Sequence, residues 1–553
     1  MIATCTIEEL DLFRPEPGGE TRARGLGCSP LCVAVLESRG VAADQIPQFL
    51  RQQPLVDQLG SLNLGSGAAR AASKWSDALR GKSVLVYGDY DVDGVSSTVL
   101  AMALAQMSGA ARTYYYIPRR STEGYGLHCE GIRMAAQSGI QTVIVTDCGS
   151  RDRSEVALAK ESGMDVLIFD HHLVDGELAE ADALVNPQID GDGEARTLCA
   201  TGVLWCWAAQ SGLFPKESLL ELVQLAGLAT IADCMPLEFL NRELIRQGLD
   251  SMRRRPFGGL GRLISALRLE GASLDERDLA MRLIPSLNAA GRLGAADLAV
   301  NVVAQLGDAE QNVDSLMKVN QRRRDLSSQI ADSLSKQLDT DCSTQVFFNP
   351  SWPVGILSGI ASRLCHERRQ GFALAASTQR GVRGTLRVPE GANAVELLKQ
   401  LSDKLDDWGG HQYAAGFSVS AAQWPKVALG LNKLLSQVQP VAERHEAILY
   451  DPLRIEMDDL GDLAKLGPFG NGNPAPSFFV PSCADEVYEP LGKDGRHLTV
   501  NCRGARLLAF GGARQIDDAP GIAGWIYQPR INVWRGRRNV QFVVDKIVLG
   551  RGA

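Results

Sequence analysis

Three short apolar runs in the first half of this 553-residue chain each end in acids or histidine, and that recurrence limits the fold more than any other feature. Val84–Tyr87 runs into Gly88-Asp-Tyr-Asp-Val-Asp-Gly94. Thr142–Thr146 runs into Asp147, and Val166–Phe169 runs into Asp170, His171 and His172. Runs this short, rich in β-branched residues and without alternation, predict strands buried on both faces, as in a parallel sheet. Predicted helices separate them at Val95–Met107, Glu130–Gln137 and Glu155–Ser162. In an open parallel sheet, ligands sit beyond the carboxyl ends of the strands. Asp91, Asp93, Asp147, Asp170, His171 and His172 can therefore converge from distant positions. Asp89, Asp91 and Asp93 alternate so closely that their charges would repel unless a hard cation lay among them. One such strand end is explained by solvated loop charges; three in succession are not.

The remaining candidate residues fall into two groups. Asp233 follows the apolar stretch Leu219–Thr230, where an acid is commonly a cap, but the other acids make it a further candidate ligand. The second group is basic. Asn288-Ala-Ala-Gly-Arg-Leu293 reads as a small-residue loop carrying Arg292, and Gly381–Arg387 as a strand with alternating arginines. Gly409-Gly-His-Gln-Tyr-Ala-Ala-Gly416 reads as a loop in which glycines let backbone approach a ligand such as phosphate around His411. Between the groups, Gly307–Asp341 is a long connecting helix whose run Gln321-Arg-Arg-Arg-Asp325 reads as a solvated face.

From His445 onward, short alternating runs between turn residues predict an all-β region, with an OB-like barrel as the candidate. Tyr527, Trp534, Arg535, Arg537 and Arg538 interleave aromatic and basic groups, the composition of a surface that stacks single-stranded nucleic acid. An ordinary exposed hairpin would carry the same composition.

Composition sets the class. With 45% hydrophobic and 22% charged residues the chain is globular rather than disordered. No apolar run is long enough for a bilayer, and the first residues lack a signal-peptide core, so a cytoplasmic protein without a membrane role is expected. Twelve cysteines with no C-x-x-C pair announce neither a zinc ribbon nor a disulfide framework. The net charge of −8 does not advertise nucleic acid, yet Leu491–Ala553 holds eleven Lys and Arg against four acids. A basic end on an acidic body hints at a polyanionic partner. The expected division is an N-terminal extension at 1–80, an α/β catalytic domain at 81–305, a connecting helix at 306–342, a smaller α/β domain at 343–440 and a barrel at 441–553.

In order along the chain, Asp89-Tyr-Asp-Val-Asp-Gly94, Thr146-Asp-Cys-Gly149, Asp170-His-His172 and Ala232-Asp233 resemble the four motifs of the DHH phosphoesterases. Gly409–Gly416 resembles the signature of their companion DHHA1 domain. Pro468-Phe-Gly-Asn-Gly-Asn-Pro474, followed by a barrel, resembles the RecJ branch of that family, single-strand-specific 5′→3′ exonucleases. The resemblance implies two divalent cations, manganese or magnesium. Asp91, Asp93, Asp147, His171 and Asp233 would be ligands, with Asp147 bridging, Asp89 nearby and His172 facing the scissile phosphate or bound at the second metal. It implies that Arg120, Arg292, Arg387 and His411 bind substrate phosphate, and that single-stranded DNA is cut to 5′ mononucleotides in recombination and repair. A helicase and a single-strand-binding protein are admissible partners, and nothing demands more than a monomer.

The sequence departs from the family pattern at Cys148, Gly149 and Ser150 of the second motif. It departs again at Cys234, at Pro353 after Trp352, and at Thr385-Leu-Arg-Val388 around the phosphate arginine. Two other readings are an oligoribonuclease or cyclic-dinucleotide phosphodiesterase, against which the basic barrel argues, and a strand-binding scaffold with a decayed site, against which the complete acid set argues.

Overall fold

The structure, a computed structural model, describes residues 2–42, 44–50, 55, 59–119, 123–269, 271–340, 343–439, 441, 444–492, 495–513, 516, 521–534 and 537–550. The chain forms two compact units, one of Met1–Gln52 with Ala442–Ala553, the other of Gln53–Val441. The first eighty residues are thus shared between units. Strands β1 (Ala3–Thr6) and β2 (Leu10–Phe13) and helix α1 (Pro30–Ser38) go to the first unit, and α2 (Ser66–Leu79) goes to the second. Ser29 starts α1 by accepting a bond from the Cys32 amide at 3.2 Å, with Pro30 in the first turn where no N–H is needed.

The larger unit opens with β3 (Ser83–Tyr87), α3 (Val92–Met107), β4 (Arg112–Tyr116), α4 (Cys129–Gln137), β5 (Thr142–Thr146), α5 (Arg153–Glu161), β6 (Asp165–Phe169) and β7 (Ala183–Val185). The five strands form an all-parallel sheet in the order β4-β3-β5-β6-β7. Alternate residues of β3 enter different cores: Val84 and Val86 on one face, Leu85 and Tyr87 on the other. That two-sided burial is why the strand shows no polar alternation. Because β4 lies on one side of β3 and β5 on the other, the strand order reverses at β3/β5, which opens a crevice at their carboxyl ends. Register keeps the tips level: Tyr87 pairs with Val145, and Thr146 with Phe169.

Helices α6 (Ala200–Ser211), α7 (Lys216–Ala232), α8 (Ile284–Arg292) and the 32-residue α9 (Ala309–Thr340) follow. The small-residue segment 288–293 is therefore helical up to Arg292, not a loop. Its small side chains serve close packing: a Cβ on Gly291 would collide with the Tyr90 carbonyl.

The second sheet has the order β11-β12-β10-β9-β8, built from β8 (Val346–Phe348), β9 (Phe372–Thr378), β10 (Gly381–Arg387), β11 (Asp407–His411) and β12 (Ala414–Val419). Helix α10 (Val354–Arg368) packs on β9 and β10. The segment 409–416 is thus a β-hairpin rather than a loop, with Gly409 paired to Gly416 and Gly410 to Ala415.

The smaller unit holds β13 (His445–Leu449), α11 (Met457–Ala464), β14 (Phe478–Pro481), β15 (Val487–Leu491), β16 (His497–Cys502), β17 (Ala505–Ala509), β18 (Ile522–Trp534) and β19 (Arg537–Leu549). Its sheet runs β15-β16-β17-β19-β18-β14-β13-β2, with β1 added beside β19. The region after 441 is therefore not all-β, since α11 interrupts it. Two strands of its sheet come from the other end of the chain.

Candidate metal centre

Each candidate metal ligand lies in a rigid element or within two residues of one, and His172 lies three beyond β6. Asp89 and Asp91 follow β3. Asp91 also caps α3, accepting from the Gly94 amide at 3.0 Å. Asp93 lies in the first turn of α3, where its carboxylate meets the opening of α6: it accepts from the Ala200 amide at 2.7 Å, the Thr201 amide at 2.9 Å and the Thr201 hydroxyl at 2.5 Å. These bonds fix its position and leave one edge toward the crevice. Asp147 follows β5 with φ at 64°, a left-handed conformation that aspartate tolerates better than most residues. Its amide donates to the Phe169 carbonyl at 3.0 Å, tying β5's tip to β6's. Asp233 ends α7.

His171 is the hub. Its Nε2 lies 3.3 Å from Asp147 Oδ1, 3.6 Å from Asp233 Oδ2 and 3.8 Å from Asp93 Oδ2. Asp147 belongs to two triads whose ligand atoms lie within 4.8 Å of one another, one with Asp89 and Asp91, the other with His171 and His172. Asp93, His171 and Asp233 form a third. Seven of the sequence candidates are thus brought together, with Asp147 placed to be shared.

The electrostatics are those of a site built for cations. Burial, then the charges of Asp93, Asp91, Asp89 and Asp233, push the Asp147 carboxyl well above the usual range. Burial, then Asp93 and Asp91, push Asp233 up to about 8, and burial followed by Asp93 raises Asp91. Burial lowers His171, which favours the neutral ring a metal needs. Carboxylates with one imidazole are the donor set of Mg²⁺ and Mn²⁺ rather than of a soft metal.

The histidines have different jobs. His172 is exposed, and its Nδ1 lies 2.8 Å from Asp170 Oδ1 and 3.0 Å from the Tyr125 hydroxyl. Burial opposes its charge, but the bond to Asp170 and that residue's charge prevail and raise His172 to about 9. Asp170 itself is fully buried. Burial would raise it, but the His172 bond and charge outweigh burial and hold it below the usual carboxylate range. It also accepts from the His171 amide at 2.8 Å, the His172 amide at 3.2 Å and the Ser150 amide at 3.2 Å. Asp170 therefore shapes the loop that carries both histidines.

The basic candidates lie on the adjoining elements. Arg292 ends α8 and donates to the Gly355 carbonyl at 3.1 Å; a Cβ on Gly355 would strike the Arg292 carbonyl. Two turns along the same α10, Ser362 Oγ accepts from Arg387 Nε at 3.0 Å. A single helix thus contacts both arginines. Arg120 lies outside the described residues. A cleft of about 590 Å³ is lined by Asn288, Arg292, Arg323, Arg324, Ser328 and Arg363, among others. Arg323 is half-buried and donates to Asn320 Oδ1 at 3.0 Å, so the run 321–325 is not wholly a solvated face.

Comparison with known proteins gives the same layout. Residues 83–231 match the DHH family N-terminal domain, residues 341–439 the DHHA1 domain and residues 450–546 the RecJ OB domain. The single-stranded-DNA-specific exonuclease RecJ of Thermus thermophilus is 31% identical over 497 residues, covering 88% of this chain and 72% of that one. The Bacillus subtilis protein of the same name is 28% identical over 540 residues, covering 94% and 68%. The chain belongs to the RecJ family. The crystal structure of Thermus thermophilus RecJ in complex with Mn²⁺ superposes with a TM-score of 0.77 at 26% identity, covering 98% of this chain and 79% of that one. The Mg²⁺ complex superposes at 0.72 and 25%, covering 98% and 80%.

Against the RecJ pattern, the unusual second motif is accommodated by packing. Cys148 is buried in the core of Tyr87, Leu127, Val145 and Ile168, and its thiol donates to the Thr146 carbonyl at 3.7 Å. It fills space beneath the centre, whereas Cys234 is exposed.

The barrel expectation needs a correction. Tyr527 is fully buried and donates to the Tyr450 carbonyl at 2.9 Å, so it is a core residue and no stacking platform. Trp525, two residues earlier on β18, is also fully buried, so period-two alternation carried the signal. Arg537 and Arg538 are exposed at the start of β19. Arg535 and the Trp534 side chain lie outside the described residues.

One residue of this centre was missing from the sequence candidates, and another was among them without its role. Asp170 was visible as an acid, but not its role in bonding. Tyr125, from the glycine-rich turn after β4, donates to the Asp147 carbonyl at 3.0 Å while contacting His172.

Proposed function

We propose that this chain is a metal-dependent 5′→3′ exonuclease that hydrolyses single-stranded DNA to 5′ mononucleotides. The observation that carries the reading is the sharing of Asp147 between acid and histidine triads drawn from three strand ends. Two divalent cations, Mn²⁺ or Mg²⁺, would be held by Asp89, Asp91, Asp93, Asp147, His171 and Asp233. When bound they supply Lewis-acid charge at the phosphate and an acidified water.

The chain's own residues do the rest. Asp170 and Tyr125 occupy the Nδ1 side of His172, leaving Nε2 for substrate. The Asp170 carboxylate on Nδ1 favours the protonated ring, which can donate to a scissile phosphate oxygen. Arg292, Arg387 and His411 bind the 5′ phosphate, for which guanidinium forks are suited. Arg120 joins them on the family pattern. Arg323, Arg324 and Arg363 add positive charge for backbone phosphates in the adjoining cleft. Arg537 and Arg538, with Arg535 and Trp534, engage the strand on the barrel.

Labour divides along the chain as catalysis in 81–305, a connecting helix at 306–342, 5′-end recognition in 343–440 and strand binding in 441–553, with 1–80 divided between the two units. No helix among the described residues is long and apolar enough to cross a membrane, and a cytoplasmic repair enzyme served by a helicase and a single-strand-binding protein fits the chemistry. The test is release of nucleotides from single-stranded DNA with Mn²⁺ or Mg²⁺, absent with chelator and with Asp147→Asn. Release that persists in chelator would sink the reading.

A further inference from the structure

The smaller unit contains a second cluster of metal-ligating side chains, independent of the acid centre. Cys483 lies in the turn after β14, Glu486 immediately precedes β15, and Cys502 ends β16. The antiparallel register pairs Val487 with Asn501, so one step further places Glu486 opposite Cys502. The turn brings Cys483 back onto both: its amide donates to Glu486 Oε1 at 3.3 Å, and the two sulfurs stand 3.7 Å apart. One ligand atom from each of the three residues lies within 4.8 Å of the others.

We propose that Cys483, Glu486 and Cys502 form a site for a thiophilic divalent cation of the Zn²⁺ class. The arrangement suits a cation. A tetrahedral ion with metal–sulfur bonds of about 2.3 Å holds two thiolates about 3.8 Å apart, so this pair, now in thiol–thiol contact, can take an ion without moving, whereas a disulfide would require the sulfurs to close to about 2.0 Å. The carboxylate is aimed rather than loose. Glu486 Oε1 accepts from Trp525 Nε1 at 2.9 Å and Oε2 from the Tyr488 hydroxyl at 2.7 Å, the outer bonds that orient a ligating carboxylate. Among the described residues no lysine or arginine forms an ion pair with Glu486. Cys483 is only half-buried, which gives an entry path and room for water as a fourth ligand.

Binding needs no redox partner. Two S–H bonds break, two metal–sulfur bonds form, and two protons leave to solvent. The consequence is structural: one ion would tie the 483–486 turn to the end of β16. The donor set differs from the all-oxygen-and-imidazole centre of the larger unit, so the two sites select different metals.

Cobalt substitution in the full-length chain is the test. Cys234→Ser serves as background, because that exposed thiol adjoins Asp233. The protein is reduced, stripped with chelator and titrated with Co²⁺. The expected result is a near-ultraviolet thiolate-to-cobalt charge-transfer band that saturates at one ion per chain and is displaced by Zn²⁺. Cys483→Ser, at a half-buried position, should abolish the band while circular dichroism stays unchanged. Glu486→Gln should weaken Zn²⁺ binding about 10–100-fold. Absence of the band, its persistence in Cys483→Ser, or isolation of the pair as a disulfide that Zn²⁺ does not prevent would overturn the proposal.

Discussion

Arg387 and His411 lie in one row of the second sheet: each is paired with Ala414 of the strand between them, Arg387 on β10 and His411 on β11. Residues directly opposite in neighbouring strands share a face, so the two side chains project to the same side about 10 Å apart across two strand spacings. Ser362 of α10 fixes the guanidinium of Arg387 from beneath. A cationic fork and an imidazole at that spacing can converge on one phosphate.

Arg387→Ala should therefore raise KM for a 5′-phosphorylated strand about 10–100-fold, the worth of a charged hydrogen bond, while leaving kcat within a few-fold. A strand with a 5′ hydroxyl should be affected far less. Equal losses on both substrates would remove Arg387 from 5′-end recognition.

Asp170 accepts three backbone amides and holds His172. Asp170→Asn should lower kcat about 10–100-fold with the metal ligands intact, as expected for an outer-shell partner. The imidazole resonance of His172, followed by NMR, should titrate well below its position near 9 in the parent protein. An unmoved titration would deny Asp170 the positioning role.

The crowded acids make stability depend on pH in a definite direction. The Asp233 carboxyl ionises near 8 in the fold against 3.8 for an exposed one. Between those values the metal-free fold keeps a proton that the unfolded chain has lost, so its stability falls as pH rises from about 4 to about 8. His172, near 9 against 6.5, acts in the same direction above 6.5. Mn²⁺ replaces the proton on the carboxylates, so the rise in Tm on adding Mn²⁺ should grow across this window. Thermal unfolding with and without the cation checks it, and a pH-independent increment would contradict the acid cluster as the binding site.

How far the sequence could be read depended on whether a residue's role lies along the chain or across it. The strand tips carrying Asp89, Asp147 and His171 were visible because two-sided burial forces continuous apolar runs, and a polar residue ending each run has nowhere to go but the crevice. The hairpin at 409–416 was hidden because glycines weaken local strand preference, and pairing with β10 decides the matter. Arg292 looked like a loop residue for a related reason: the small residues before it permit a helix to lie against Tyr90, and small residues also make loops. Asp170 could be seen, but not the direction of its hydrogen bonds.

Tyr527 and the arginines of β19 separate fold from binding in the barrel. Tyr527→Phe removes the bond to the Tyr450 carbonyl and should cost about 1 kcal/mol of stability without altering strand affinity. Replacing Arg537 and Arg538 with Ala should do the reverse. Stability should hold, and the slope of log affinity against log salt should shrink by about 1.4 if each arginine meets one phosphate of a single strand. An unaltered slope would remove this edge from the binding surface.

The most direct measurement is digestion of a 5′-phosphorylated single-stranded DNA labelled at its 3′ end, with the matching duplex and RNA as controls, in Mn²⁺, Mg²⁺ or chelator. The expected result is a cation-dependent ladder that shortens from the 5′ end, on single-stranded DNA and not on the duplex, and vanishes in Asp147→Asn. Intact strand in every metal, or release of the labelled 3′ nucleotide first, would contradict a 5′→3′ exonuclease built on the shared Asp147.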